Sequence, residues 1–304
     1  MSSQAQARDD IRITNCIYRI FLVVNAAGIT GSSVVNKLHL ISGLPRSGST
    51  LLCALLRQNP RFTAAMTSPV ASLCGTMHKK MCGGEFAVFF DDAKRAAMLR
   101  GVFDSYYAGI QPSEVVFDTN RIWTGSAALL KALYPESRII CCVRDIGWII
   151  DSVERMLAKN PLQLSRMFNF QPGSSVYARV ETLMNSENGL IGLPWSNLRE
   201  GWFGDEAKRL IVVPYDHLVR APEQTLRGLY DELGEPWFSH DLDHVAYDEP
   251  DYDALLGMPG LHKVRAKVEH RARKPSIPPD LFAKYAHTHF WEKPELNVHR
   301  VRIL

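Results

Sequence analysis

The chain has 304 residues, 46% hydrophobic and 22% charged, a globular balance that excludes a largely disordered, collagenous or coiled-coil protein. Lysine and arginine total 35 against 32 aspartates and glutamates, a net charge of +3, so the basic excess of a dedicated nucleic-acid binder is missing. Cys16, Cys53, Cys74, Cys82, Cys141 and Cys142 fit no disulfide framework or metal-ligand spacing, and read as reduced, mostly buried thiols of a cytoplasmic protein.

Residues 1–37 read as an N-terminal extension of unknown role, ahead of one domain over residues 38–304. The longest apolar stretch, residues 17–27, is interrupted by Arg19 and Asn25 and is too short to span a bilayer. Asp9 and Asp10 precede it, which does not suit a signal peptide. Residues 38–42 are apolar without clean alternation, the pattern of a strand covered on both faces. A helix over 50–58 follows and stops at Asn59-Pro60. Within residues 62–112, Leu99, Val102, Phe103, Tyr106 and Ile110 repeat at helical spacing. This stretch reads either as a helical insert walling a ligand site or as plain core helices.

Strands are predicted next over 114–117, 138–143 and 209–213, and helices over 125–133, 146–158 and 221–233. The last helix has Pro222 at its start and Gly234 just past its end, the usual asymmetry of start and stop signals. Strands alternating with helices imply right-handed crossovers and an open parallel sheet. Cys141 and Cys142 would then point to opposite faces of one strand.

The first strand runs into Gly43-Leu-Pro-Arg46-Ser47-Gly48-Ser49-Thr50-Leu51. A strand, a glycine loop and a helix start bring free N–H groups and the positive helix end onto one anion. Ser47, Ser49 and Thr50 add hydroxyls. Gly43 and Gly48 match the outer glycines of the nucleotide triphosphatase loop, but Ser49 stands where that loop carries its lysine. Arg46 is the loop's cation. The fold expected is therefore α/β and P-loop-like: three layers, a central parallel sheet, and the helical insert after the first strand–helix unit.

A second constellation lies at the strand over 138–143. Arg144 follows its carboxyl end, where open α/β sheets bind ligands, and Ser152 lies about two turns into the next helix. Pairing of Arg144 with Asp145 or Glu154 is the structural alternative. With the glycine loop, the pair points to a ligand carrying two phosphate-like groups.

Leu44-Pro-Arg-Ser-Gly-Ser-Thr-Leu-Leu52 resembles the 5′-phosphosulfate loop of sulfotransferases that use 3′-phosphoadenosine 5′-phosphosulfate (PAPS). Val143-Arg-Asp with Ser152 is similar to their 3′-phosphate motif, and Val212-Val-Pro-Tyr215 to a later family segment. The loop arginine is closer to tyrosylprotein and bacterial members than to the cytosolic type, which has lysine there. The resemblance implies PAPS as donor and 3′-phosphoadenosine 5′-phosphate (PAP) as product. It places Arg46, Ser47, Gly48, Ser49, Thr50 and Leu51 at the 5′ end, and Arg144 and Ser152 at the 3′-phosphate, with Tyr215 as a further cofactor contact. Arg265, in the basic cluster His262-Lys263-Val-Arg265-Ala-Lys267, is expected near the 3′-phosphate or on a solvated face. His270, Arg271, Arg273 and Lys274 extend that cluster.

The reaction implied is in-line transfer of a sulfuryl group to a hydroxyl, less readily an amine, without an obligatory metal. Asp118, Asn120 and Arg121 occupy the segment where many family members carry lysine and a catalytic histidine. Met66-Thr67-Ser68 stands where the tyrosylprotein type places its glutamate, so the family's base does not carry over. Asp118 is the first candidate base, with structural capping and a magnesium ligand as its other readings. His78 is the second candidate, against a solvated helix end. Asn120 and Arg121 are candidates to touch the sulfuryl oxygens. The rivals are a small-molecule kinase using ATP and Mg²⁺, favoured by the strand ending in Asp118, and a non-catalytic PAP(S)-binding protein. No nucleic-acid or membrane-spanning role is expected, and the oligomeric state is unreadable.

Overall fold

A computed structural model describes residues 35–111, 114–168 and 175–304. The extension assigned to residues 1–37 lies outside these as far as residue 34. Val35 is buried in the core and Lys37 opens the first strand, so the folded unit begins slightly before residue 38. No helix among the described residues is long and apolar enough to cross a membrane.

Lys37–Gly43 forms β1, followed by helix α1 at Ser49–Leu56 and a short strand β2 at Phe62–Ala64. Helices α2 (Val70–Cys82) and α3 (Asp92–Tyr106) precede β3 (Val115–Thr119). A 3-10 turn at Trp123–Ser126 leads into α4 (Ala127–Leu133), so the helix predicted from residue 125 starts one turn differently. Next come β4 (Ile139–Val143), α5 (Ile146–Lys159), α6 (Val176–Leu183), α7 (Gly192–Phe203) and β5 (Leu210–Pro214). Helices α8 (Tyr215–Arg220), α9 (Pro222–Leu233), α10 (Pro250–Leu255) and α11 (Pro279–Tyr285) follow, and β6 (Arg302–Ile303) ends the chain.

The six strands form one parallel sheet in the order β2-β3-β1-β4-β5-β6. The four predicted strands are its centre. The edges β2 and β6 are too short to produce a sequence pattern. Residues of the central strands alternate between two apolar layers, as a pleated strand requires. Leu40, Ile139, Cys141 and Val212 pack on one face, while Ile41, Ile140, Cys142 and Ile211 pack on the other. Helices cover both faces, which explains the lack of polar alternation. The result is the expected three-layer, P-loop-like α/β fold.

The 62–112 segment contributes an edge strand as well as helices. Val70, Ala71, Cys74, Leu99 and Phe103 bury α2 and α3 in the same core as Leu130 and Leu133 of α4. These contacts fit the core-helix reading of the two helices. At the far end, α9 keeps its predicted signals: Pro222 is its first residue, and Gly234 terminates it at φ 63°.

Candidate active site

The carboxyl ends of the central strands open onto a cleft of about 810 Å³. Open parallel sheets bind ligands at this end because strand termini and helix starts converge there. Ten arginine and lysine side chains line it against two carboxylates, Asp216 and Glu269. The nearly neutral chain thus concentrates positive charge in one place, which suits a small polyanion.

The loop between β1 and α1 forms one wall. Its shape depends on two glycines. Gly43 adopts φ 100°, and a Cβ there would lie 2.2 Å from the Cys142 carbonyl oxygen on β4. Gly48 adopts φ 93° and caps α1 without a side chain, leaving the first N–H groups of the helix open to the cleft. Arg46 takes the left-handed conformation at φ 56°, uncommon for a residue with a Cβ. That turn directs its guanidinium across the cleft rather than out to solvent.

Arg46 Nε donates to Ser152 Oγ at 3.1 Å, and its Nη1 donates to the Leu261 carbonyl. Arg144 Nη1 in turn donates to the Arg46 carbonyl at 3.2 Å. The Arg144 guanidinium stacks 4.0 Å over the Tyr215 ring. Neither Asp145 nor Glu154 pairs with Arg144. Asp145 caps α5 by accepting from Trp148 N and takes His287 N and His289, while Glu154 binds Arg179. Burial, with Arg144 adding like charge, pushes Arg46 down to about 10, so it remains charged at neutral pH. Burial also lowers Arg144. Among the described residues neither cation has a carboxylate in an ion pair with it, an arrangement that suits an anion.

The site residues expected from sequence separate into three groups. Arg46, Gly48, Ser49, Thr50, Leu51, Arg144, Ser152, Tyr215 and Arg265 all line the cleft. Arg265 sits on a segment clipped in place by main-chain bonds from Val264 to Tyr247 and from Val268 to Leu242. Asn120 and Arg121 also line the cleft. Asn120 shapes the turn after β3, its Oδ1 accepting from Ile122 N at 3.2 Å.

Ser47 and Asp118 form the third group and require correction. The Ser47 hydroxyl is fully buried and donates to the Leu44 and Cys142 carbonyls, so it braces the loop instead of facing a ligand. Asp118 is fully buried behind β3. Its carboxylate accepts from the Ser68 hydroxyl, from Tyr107 Oη at 2.7 Å and from Trp123 Nε1 at 2.6 Å. Three donors already occupy it and it does not line the cleft, an arrangement that fits the capping reading better than a base or a metal ligand. His78 is half-buried on α2 and lies outside the cleft lining. Among the described residues of the 62–112 segment, Met66 and Thr67 line the cleft; another wall comes from Trp148, Arg166, Met167, Leu190 and the region around α10.

Sequence reading missed a pair on that wall. Asp253 of α10 is fully buried and accepts from His262 N at 2.8 Å and from His262 Nδ1 at 2.5 Å. Nothing in their spacing announces the contact, because a loop turn and not a helix face brings them together.

No curated protein matches the chain. Among solved structures, it is similar to the sulfotransferase domain of the Synechococcus PCC 7002 olefin synthase: 18% identity, 84% of this chain and 95% of that one covered, TM-score 0.46. It is similar to a sulfotransferase from Alicyclobacillus acidocaldarius at 17% identity, with coverages of 72% and 88% and a TM-score of 0.45. It is also similar to the sulfotransferase domain of the curacin biosynthetic pathway at 18% identity, 68% and 76% coverage, and a TM-score of 0.44. Residues 40–239 match the family model described as the sulfotransferase family, a span that holds the glycine loop, Arg144, Ser152 and Tyr215. With two thirds of its length matched, the chain belongs to the sulfotransferase family.

Proposed function

We propose that this enzyme transfers a sulfuryl group from PAPS to a hydroxyl acceptor by in-line displacement, with PAP as the other product. The observation that carries the reading is the link between the two predicted phosphate motifs. Arg46 of the first bonds Ser152 of the second, and Arg144 bonds the Arg46 backbone, so one nucleotide can span both. The loop amides and the start of α1 would hold the 5′-phosphate. Arg144, stacked on Tyr215, would hold the 3′-phosphate together with Ser152 and Arg265, and so separate PAPS from ATP. Arg46 would stabilise charge growing on the bridging oxygen as the S–O bond breaks. Asn120 and Arg121, which line the same cleft, would meet the transferring sulfuryl oxygens. Five described cysteines are free, which supports a cytoplasmic setting.

Calorimetry tests the donor. PAP should bind at least ~10-fold tighter than AMP, because one charge-assisted contact is worth about 1.5–3 kcal/mol. Arg144→Ala should erase most of that difference, and equal affinities in the native protein would sink the assignment. Turnover of PAPS should survive EDTA, whereas a kinase using ATP and Mg²⁺ would lose its activity.

A further inference from the structure

With Asp118 enclosed behind β3, the cleft needs another group to take the acceptor's proton. The buried Asp253–His262 pair is the arrangement that meets the need. His262 lines the cleft beside Leu261, whose carbonyl holds Arg46. Its Nδ1 is engaged by Asp253, and its Nε2 makes no hydrogen bond to any described residue. Asp253 is anchored in turn: its own N–H donates to Glu249 O and its carbonyl accepts from Met258 N. The Tyr252 ring packs edge-on against the imidazole at 5.6 Å. The ring is thus fixed in plane and in tautomer, with one nitrogen directed away from its anchor.

We propose that His262 is the general base of the transfer and that Asp253 positions its imidazole. This rests on the sulfuryl-transfer reading above. The Nε2 lone pair takes the acceptor's hydroxyl proton, giving an imidazolium that Asp253 stabilises through Nδ1–H. The oxygen's electron pair forms the new O–S bond. The bond from sulfur to the bridging oxygen breaks, and its pair leaves with PAP beside Arg46. The charged and titratable groups facing His262 are Asp253, Tyr252, Arg46 and Arg121. Burial, reinforced by the two arginines and opposed by Asp253, lowers the histidine below its ordinary value. It is therefore neutral, and able to accept a proton, at pH 7.

Two experiments test this on the full chain. Nitrogen NMR of the histidine-labelled protein bound to PAP should show His262 neutral at pH 7 with the proton on Nδ1. A proton on Nε2, or a charged ring, would overturn the assignment. Hydrolysis of labelled PAPS, with water as acceptor, gives the kinetic reading. His262→Asn keeps a donor for Asp253 but removes Nε2, and should cut turnover at saturating PAPS by about 10²-fold or more with PAP affinity unchanged. Asp253→Asn should lower kcat without raising the KM for PAPS, and should move the acid limb of the pH profile to lower pH, because the carboxylate that raises the histidine is gone. Full turnover in His262→Asn with tight PAP binding sinks the base alone. Failure of the native protein to prefer PAP over AMP sinks the donor reading, and the base with it.

Discussion

Arg46 Nε donates to Ser152 Oγ at 3.1 Å, joining the glycine loop after β1 to the helix after β4 across 106 residues of chain. Ser152 is buried and Arg46 half-buried, so the contact is shielded from water. Together they fix the distance between the two ends of the expected nucleotide. Arg46 makes this contact from a left-handed backbone conformation, φ 56°, which is uncommon for a residue with a Cβ.

Arg46→Ala should reduce turnover of PAPS far more than affinity for PAP. The role proposed for it is to meet charge that exists fully only as the bridging bond breaks, and loss of such a donor costs about 10²–10³-fold in kcat. Paired single-turnover and calorimetric measurements check this. Unchanged turnover would remove the role.

Tyr215→Leu should weaken PAP binding by about 5–10-fold, the loss expected from removing a cation–π contact of roughly 1 kcal/mol. The ring also packs beside Gly48, so part of the loss would appear as a looser loop. Tyr215→Phe keeps the ring and should bind PAP nearly as well. Equal losses in both variants would point to the hydroxyl instead of the stack.

Asp118→Ala should damage stability, not chemistry. It strands three buried donors, on Ser68, Tyr107 and Trp123, at about 1–3 kcal/mol for each that finds no new partner. For a chain of this size that corresponds to a Tm lower by roughly 5–15 °C. Turnover per folded molecule should stay within a few-fold of the native value. A selective loss of kcat with an intact Tm would restore Asp118 as the base.

The tie between His289 and Asp145 should make stability depend on pH. The bond to Asp145 raises His289 above its ordinary 6.5, against the opposing effect of burial. A folded value above the unfolded one means the stabilisation is fully present below about 6.5 and is lost as pH rises through the folded value. The Tm advantage over His289→Gln should therefore be greatest near pH 6, at about 2–4 °C for roughly 1 kcal/mol, and should close in mildly alkaline solution. An advantage that grows with pH would contradict the direction of the shift.

Much of the architecture was legible without coordinates. The central strands carry continuous apolar runs because helices cover both faces, and such runs stand out along a chain. The turn after β1 was equally plain from its glycines, although the close approach of the Cys142 carbonyl on β4 that bars a Cβ at Gly43 is a long-range contact. Arg144 and Ser152 were legible for a related reason, since each sits just past a strand end or on the helix that follows it.

Other features depended on distant segments. The three donors that enclose Asp118 come from the loop before α2, from the end of α3 and from the turn after β3. A strand-tip carboxylate reads the same whether it faces a cleft or a ring of donors. Asp253 and His262 are linked by a loop whose path depends on the packing of Met258 and Leu261 against Met156 of α5.

The parallel α/β sheet, the glycine loop and the arginines at the strand ends are written in neighbouring residues, because apolar runs, turn glycines and helix starts are short-range signals. Only the tertiary structure decided that Asp118 is enclosed, that Ser47 braces the loop, that ten cations gather on one cleft of a nearly neutral chain, and that His262 faces it with Asp253 behind. Those outcomes depend on which distant groups satisfy a buried polar atom, and burial makes that choice after the chain has folded.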